Sequence, residues 1–269
     1  ALNGAPGEQI IRIHGETYRV DASPIASQDT ARGTALFFFN ITEEENAEKM
    51  RREFTANVSH ELKTPLHCIL GYAELLKNDL VKEEDQIPFA GKIYDEAQRM
   101  VRLVEDIISL SRLDEGAKDM PRETTDLYEL AQGAMQSLMP EARDAGVALT
   151  LSGSSAVLKG IPQLLYGMIY NLGDNGIKYN HRNGKVSITV RKEHDGILLA
   201  VADTGIGIPP EYHERIFERF YRVDKNHSRA VGGTGLGLSI VKHAAKIHNG
   251  KIRVESIPEK GTVITVYFS

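Results

Sequence analysis

The feature that most constrains this chain is a repeating apolar stripe in residues 54–76. Its side chains recur at steps of three, four or seven, which places them on one face of an α-helix: Phe54, Val58, Leu62, Ile69, Tyr72 and Leu76. His60 lies two residues from both Val58 and Leu62, so at about 100° per residue it points away from the stripe. The pattern predicts a helix that buries one face and presents His60, next to Glu61, on another.

The same pattern predicts a pair of helices. Thr42 and Glu45 have the spacing of a capping box, so we expect the first helix to start at residue 42 and run to about residue 80, with a bend at Pro65. After an acidic turn at 82–88, a second apolar series predicts another helix: Phe89, Ile93, Ala97, Met100, Val104, Ile107 and Ser111. Each helix of such a hairpin has only one stripe to bury, so we expect two copies to form a four-helix bundle.

Predicted strands flank the hairpin. Residues 9–14, 17–23 and 34–41 are predicted as three strands, joined by a turn at His14 and Gly15 and by a polar loop that contains Asp29 and Gly33. After Pro121, helices are predicted at 126–145, 163–180 and 235–249, and strands at 147–151, 156–159, 186–192, 197–203, 251–256 and 262–268. This alternation predicts an α/β layer of helices on one mostly antiparallel sheet.

The predicted fold class is therefore α+β. We expect a short β remnant at 1–41, the helical hairpin at 42–113, a linker at 114–124 and an α/β sandwich at 125–269. The net charge of -5 argues against a general nucleic-acid binder, which needs a basic surface. Cys68 is the only cysteine, so an internal disulfide and a cysteine-rich zinc site are both excluded.

Membrane insertion is not expected for this segment. The longest purely apolar run, 35–39, is far shorter than the roughly 20 residues needed to cross a bilayer, and we expect the segment to be cytoplasmic. The chain has no initiator Met and begins in what reads as the interior of a domain, so we expect a fragment of a longer protein. A membrane anchor upstream of residue 1 stays open.

Polar side chains occupy one face of the otherwise apolar helix predicted at 163–180. Asn171, Asn175 and Lys178 are four and three residues apart, so two amides and an ammonium share a face. Amide oxygens can ligate a hard cation such as Mg²⁺, and a lysine can bind a phosphate. The alternative is a solvent-exposed face without a ligand.

Two glycine-rich segments follow. Asp203 ends a predicted apolar strand, where its carboxylate can accept hydrogen bonds from an exocyclic amine, and Gly205 and Gly207 let the backbone approach a ligand. The second segment precedes a helix, whose backbone N–H groups suit a phosphate: Gly233, Thr234, Gly235, Leu236 and Gly237. It matches neither a Walker P-loop nor a Rossmann fingerprint.

In combination these segments resemble the sensor histidine kinases of two-component systems. The stretch 54–66 resembles the H box of that family, 171–180 the N box, 203–209 the first glycine box, 217–222 the F box and 233–238 the second glycine box. All five occur in the order of the family, and the likeness extends over nearly everything after Thr42. Residues 15–24 and 39–43 resemble the end of a PAS sensor domain, with Asn40 where Asp is usual; an unrelated hairpin is the alternative.

The resemblance implies a dimerisation and phosphoacceptor hairpin followed by a Bergerat-type ATP-binding domain. It implies that His60 is phosphorylated by Mg²⁺-ATP as a neutral imidazole, that Glu61 serves as base or orients the ring, and that Thr64 positions water for dephosphorylation. The phosphoryl group would pass to an aspartate in the receiver domain of a response regulator.

The resemblance also assigns the nucleotide contacts. Asn175, assisted by Asn171, would hold Mg²⁺, while Lys178, Tyr179 and Arg222 would face the phosphates and Asp203 would bind the adenine amine. The glycine boxes would form the rest of the site. Phe220 and Tyr221 are interpreted as anchors of the lid, and His67 as a surface polar residue.

Three positions depart from the family pattern. Gly176 stands where alanine is common, and Ile161 and Leu164 stand where Asp and Arg are frequent, so we expect the start of this helix to be held differently. Two rival functions remain. One is an ATPase of the same superfamily that clamps a dimer, which would not need the segment around His60 and Pro65. The other is a nucleotide-responsive scaffold without phosphotransfer.

Overall fold

The computed structural model describes residues 7–27, 30–114, 120–223 and 233–269. The chain divides into two compact units, one ending at Glu61 and the other beginning at Leu62. The first helix contributes residues to both.

The first unit contains an antiparallel meander of three strands. These are β1 (Gly7–Ile13), β2 (Glu16–Ser27) and β3 (Thr30–Asn40), hydrogen-bonded in that order. The turn predicted at His14 and Gly15 is confirmed, since both have positive φ values of 50° and 87°. The polar loop predicted around Gly33 is wrong, because Gly33 pairs with Ile25 inside the sheet. Asp29 lies outside the described residues.

The first helix, α1 (Thr42–Lys77), begins without the predicted capping box. The Thr42 hydroxyl donates to Asn40 Oδ1 (2.6 Å) and accepts from the Thr17 backbone N–H (2.8 Å). Asn40 Oδ1 also accepts from the Thr42 N–H (3.1 Å), which is one of the unpaired donors of a helix start. The strands and Asn40 therefore fix the start of α1, in place of a reciprocal bond with Glu45.

The second helix, α2 (Glu83–Asp114), starts earlier than expected. The predicted acidic turn at 82–88 is wrong: Glu83, Glu84 and Asp85 form the first turn of α2, where negative charge is favoured by the helix dipole. Tyr72 of α1 meets Phe89 of α2 edge to face, with ring centroids 5.4 Å apart. Pro65 lies within α1 and is buried, and the bend predicted there stays a prediction.

A second apolar stripe on α2 was not predicted. Its buried members, Leu103, Leu110 and Leu113, lie on a different face from the expected stripe, in which Val104 is 42% exposed. The steps between them are seven and three, which also suit one helical face. α2 also contacts the last helix of the chain, Gly237–Ile247, so it has a second neighbour to pack against.

The rest of the second unit is a layer of helices on a sheet. Its elements are β4 (Glu123–Asp126), α3 (Leu127–Ala145), β5 (Ala148–Gly153), β6 (Val157–Gly160), α4 (Pro162–Lys178), β7 (Lys185–Glu193), β8 (Gly196–Asp203), α5 (Gly237–Ile247), β9 (Lys251–Ile257) and β10 (Gly261–Phe268). The main sheet has the order β5-β7-β8-β10-β9 and is antiparallel except for the β5–β7 pair. The predicted α+β class is confirmed.

The strand β4 was missed because it lies in the predicted linker. Glu123 and Thr124 pair with β6, opposite Gly160 and Lys159. Residues 115–119 of that predicted linker lie outside the described part of the chain. Two 3₁₀ turns, Pro210–Tyr212 and Arg215–Phe217, follow β8.

Alternation along the strands places one face of the main sheet under the helices. Val186, Ile188 and Val190 of β7 are fully buried, as are Leu138 of α3 and Leu165 of α4. Burying such side chains stabilises the fold by about 1.5–3 kcal/mol each. Within the described ranges, no helix is long and apolar enough to cross a membrane.

The start of α4 is held by a buried histidine. Ile161 offers no side-chain cap, and its backbone N–H donates to His248 Nε2 (2.8 Å), while His248 Nδ1 bonds the Ala244 carbonyl (2.7 Å). Burial lowers the pKa of His248, so the ring is neutral and can accept at Nε2 while donating at Nδ1. This contact ties α4 to the end of α5, and it is the different arrangement expected from the departure at Ile161.

Candidate active site

The predicted amide face of α4 points toward the start of α5. Asn171 Nδ2 donates to the Gly167 carbonyl (2.8 Å), and its Oδ1 lies 2.7 Å from where a Cβ on Gly237 would be. A side chain at Gly237 would therefore require the Asn171 amide to move. Asn175 follows one turn later on α4 and is partly buried.

Lys178 has a partner that sequence reasoning missed. Its Nζ lies 2.6 Å from Asp174 Oδ2, and both side chains are mostly buried. Asp174 precedes Lys178 by four residues, which is a common spacing for ion pairs on a helix and could have been found in the sequence. The ammonium is thus held at the end of α4, beside Tyr179.

The loop at the end of β8, residues 203–207, is fixed to the end of α4. The Ile206 N–H donates to the Tyr179 carbonyl (3.0 Å), and the Thr204 hydroxyl donates to Asn180 Oδ1 (3.2 Å). A Cβ on Gly205 would lie 2.1 Å from the Tyr179 carbonyl oxygen, so only glycine fits there. We call residues 203–207 the strand-end loop; the roles of Asn180 and Thr204 in it were missed.

Asp203 lies at the start of this loop, and one of its carboxylate oxygens is hydrogen-bonded to the backbone. Its Oδ1 accepts from the N–H groups of Gly205 (2.8 Å) and Thr262 (3.3 Å), while Oδ2 has no hydrogen bond to the described part of the chain and could accept from a ligand. Burial raises the pKa of Asp203, while the two N–H donors oppose that rise. A partly buried carboxylate with one open oxygen suits an exocyclic amine.

Close packing around Gly176 gives a reason for the glycine at a position where the family commonly has alanine. A Cβ at this position would lie 3.2 Å from Val186 Cγ2 and 3.5 Å from Asp203 Cβ. The glycine therefore lets α4 lie close to β7 and to Asp203. An alanine there would require Val186 to shift by a few tenths of an ångström.

Residues 233–237, which we call the glycine segment, lead into α5. Gly235 has φ +73°, and its carbonyl accepts from the Phe220 N–H (2.8 Å). A Cβ on Gly235 would lie 3.2 Å from Arg222 Nε. Phe220 and Arg222 therefore lie against the glycine segment. The role predicted for Phe220 and Tyr221 as anchors of a lid stays a prediction, because residues 224–232 lie outside the described part of the chain. Leu236, by contrast, is fully buried and supports the segment from beneath.

These side chains fit a nucleotide. The structure brings together the end of α4, the strand-end loop, Arg222 and the glycine segment, which are the parts predicted for the ATP site. The carboxylate of Asp203 suits a base that carries an amine. The side chains of Lys178 and Arg222 and the backbone N–H groups of the glycine segment suit phosphates. Gly205, Gly207 and Gly237 all occupy positions where a Cβ would collide with neighbouring atoms.

The predicted phosphoacceptor residues lie on α1. His60 is exposed, while Glu61 and Thr64 are partly buried. His67 Nδ1 bonds the carbonyl of Lys63 (2.8 Å), which suits its interpretation as a surface polar residue. Among the described residues, no three His, Cys, Asp or Glu side chains are grouped so that they could hold a metal ion.

Known families match the two parts of the chain. Residues 50–116 match the His Kinase A (phospho-acceptor) domain, and residues 160–269 match the family described as histidine kinase-, DNA gyrase B-, and HSP90-like ATPase. The sensor-like histidine kinase SenX3 of Mycolicibacterium smegmatis is 37% identical over 97% of this chain and 67% of its own length. The chain belongs to the sensor histidine kinases of two-component systems.

Other relatives and solved structures are longer than the part that this chain matches. SenX3 of Mycobacterium tuberculosis is 39% identical over 97% of this chain, which spans 63% of the length of that relative. The crystal structure of full-length ShkA with AMPPNP has a TM-score of 0.59 and 27% identity over 80% of this chain and 45% of ShkA. ThkA in complex with the response regulator TrrA has a TM-score of 0.64 at 24% identity, over 99% of this chain and 79% of that one, and shows a shared fold.

Proposed function

We propose that this kinase transfers the γ-phosphoryl group of ATP to His60 and then to an aspartate of a response regulator. The observation that carries the proposal is the pairing, in one chain, of a phosphoacceptor-domain match around His60 with an ATPase-domain match around the site described above. The first supplies the acceptor and the second supplies the donor. Residues 42–113 and 125–269 would be the two working domains, and 1–41 the end of a PAS domain.

His60 would act as the nucleophile. An unprotonated ring nitrogen attacks the γ-phosphorus, the bond to the β–γ bridging oxygen breaks, and ADP leaves with that electron pair. The proton on the other ring nitrogen is held or accepted by Glu61, its neighbour in the chain. Such a transfer depends mainly on positioning and on neutralising phosphate charge.

The ATP domain would supply that positioning. In this proposal Asp203 binds the adenine amine through Oδ2, and Lys178, Tyr179 and Arg222 face the phosphates. The backbone N–H groups of the glycine segment, at the start of α5, add partial positive charge. Asn175 holds Mg²⁺ with help from Asn171, and the bound ion would neutralise phosphate charge.

We further propose that the chain works as a homodimer. Each hairpin helix leaves apolar side chains at helical spacing exposed: Leu66 and Leu70 on α1, and Val101, Val104 and Ile108 on α2. A second copy would cover them in a four-helix bundle. Replacing Val104 with Glu should shift the mass measured by light scattering toward the monomer, whereas the same change at Arg102, which is exposed on another face of α2, should leave it unchanged.

The phosphoryl group would pass to the receiver domain of a response regulator in the cytoplasm. ThkA, which shares this fold, is seen with such a regulator, TrrA. Thr64 lies one turn from His60 on α1, where its hydroxyl could orient a water that dephosphorylates the regulator. If Thr64→Ala removes dephosphorylation and retains transfer from His60, that second activity is supported; dephosphorylation at the original rate would contradict it.

The test of the kinase proposal is incubation of the chain with Mg²⁺ and ATP labelled at the γ-position. We expect label that is lost in acid and retained in base, as for a phosphohistidine. His60→Gln should abolish it, whereas His67→Gln, a matched change seven residues away, should retain it. ATP binding without any labelled protein would favour the scaffold alternative.

A further inference from the structure

A carboxylate on α2 contacts the glycine segment. Asp106 Oδ2 accepts a hydrogen bond from the Thr234 hydroxyl at 2.7 Å, and the pair is 128 residues apart in the chain. Asp106 lies on the same helical face as Leu103, Leu110 and Leu113, at steps of three, four and three. It is therefore the polar member of the second, buried stripe of α2.

Asp106 lies near residues that would bind the phosphates in the proposed nucleotide site, namely Lys178 and the glycine segment. Thr234 also accepts from the Leu236 N–H (3.3 Å), so the hydroxyl that holds Asp106 also orders the backbone of the glycine segment. Lys178 attracts Asp106, and Asp174 repels it. Asp106 and Asp174 are thus two carboxylates that lie near the one ammonium of Lys178.

A second contact docks the same stretch of α2 on the ATP domain. Arg219 donates to Asp114 Oδ1 at the end of α2, and His243 Nε2 of α5 lies 3.7 Å from the same oxygen. This contact does not involve the glycine segment. The end of α2 can thus be held by Asp114 while the contact at Asp106 changes.

We propose that Asp106 is a positioning residue of the glycine segment whose carboxylate competes with nucleotide phosphates, so that nucleotide binding and docking of α2 weaken each other. Thr234 and Lys178 can serve either the carboxylate or the phosphates. The negative charge of Asp106 also repels an approaching triphosphate in a partly buried place, where screening is weak. By linkage, a nucleotide that binds more weakly to the docked state must release α2 to the same extent.

The experiment measures the affinity of the 269-residue chain for Mg²⁺-ATP and for adenosine. Asp106→Asn retains the shape and an acceptor oxygen and removes the charge, so we expect ATP to bind about fivefold more tightly or better, the lower range of known couplings. Adenosine, which has no phosphate, should bind within twofold of its original affinity. The matched control Asp95→Asn makes the same change at an exposed carboxylate eleven residues earlier on α2 and should leave both affinities within twofold.

A second measurement tests the reciprocal effect. Binding of ATP to the unaltered chain should speed hydrogen exchange at the backbone amides of residues 103–113, and Asp106→Asn should reduce that increase. Raised salt should shrink the difference in ATP affinity between the two forms. A merely structural role of Asp106 would change adenosine and ATP affinity alike.

The inference rests on the proposed binding of ATP, and the outcomes separate the two. If the unaltered chain binds no ATP, both the proposed function and the role of Asp106 are wrong. If it binds ATP and Asp106→Asn changes the affinity less than twofold, or strengthens adenosine equally, only the role of Asp106 is overturned.

Discussion

The two sheets of this chain differ in how they bury their apolar side chains. In the main sheet, alternate residues of β7 such as Ile188 are fully buried beneath α3 and α4. In the three-stranded sheet, Phe37, Phe38 and Phe39 are consecutive and all about half exposed. The main sheet thus has a helical layer over it, while both faces of the small sheet remain open among the described residues. A sheet with both faces open stores little free energy of folding, because few side chains leave water.

The largest expected difference between the two regions is the effect of truncating an apolar side chain. Leu165→Ala in α4 should lower the free energy of unfolding of the ATP domain by about 2–5 kcal/mol, because it leaves a cavity in a closed core. Phe38→Ala, at a side chain that is 56% exposed, should cost less than about 1 kcal/mol. Urea unfolding followed by circular dichroism measures both; equal costs would contradict the comparison.

A second contrast concerns two glycines. Gly205→Ala would place a Cβ 2.1 Å from the Tyr179 carbonyl, so the strand-end loop must move, at a cost of about 1–3 kcal/mol and with at least a tenfold loss of ATP affinity. Gly91→Ala in α2 meets nothing within 4 Å and should stabilise the chain by about 0.4–1 kcal/mol. Calorimetric titration and urea unfolding give both values. Unchanged ATP binding in Gly205→Ala would show that the loop is not part of the site.

His248 gives a prediction that depends on pH. His248→Ala leaves the buried Ile161 N–H unpaired and should cost about 1–3 kcal/mol at pH 8. Burial lowers the pKa of His248 in the folded chain, so this histidine binds a proton more readily in the unfolded chain. The contribution of His248 is therefore complete above its unfolded pKa of about 6.5 and is lost as the pH falls toward the lower folded pKa. Stability curves of both proteins between pH 5 and pH 8, compared by subtraction, test this sign.

Much of the fold was predictable because apolar periodicity is local. The apolar stripe from Phe54 to Leu76 predicted α1, and the alternation of apolar residues in 186–192 predicted β7. Helix ends were less predictable, since they depend on partners distant in sequence: Thr42 bonds Thr17, and Ile161 bonds His248. The second stripe of α2 was missed for a related reason, because a helix that packs on two sides has two overlapping periodicities and the first conceals the second.

The candidate site was predicted residue by residue, but its internal support was not. The motifs named Asp203, Gly205 and Gly235, which the structure places in loops joined to α4 and to Phe220. The motifs did not predict the hydrogen bonds of Asn180 and Asp106, because their partners, Thr204 and Thr234, are distant in sequence. Asp174 was the exception, since its spacing from Lys178 was visible in the sequence.

The most direct test of the account is to find where the phosphate is attached. After incubation of the purified chain with Mg²⁺-ATP, peptides prepared at alkaline pH and analysed by mass spectrometry should carry one phosphoryl group, on the imidazole of His60. A chain that binds ATP and stays unmodified would contradict the proposed function. So would a chain that carries phosphate on another residue while His60 is unphosphorylated.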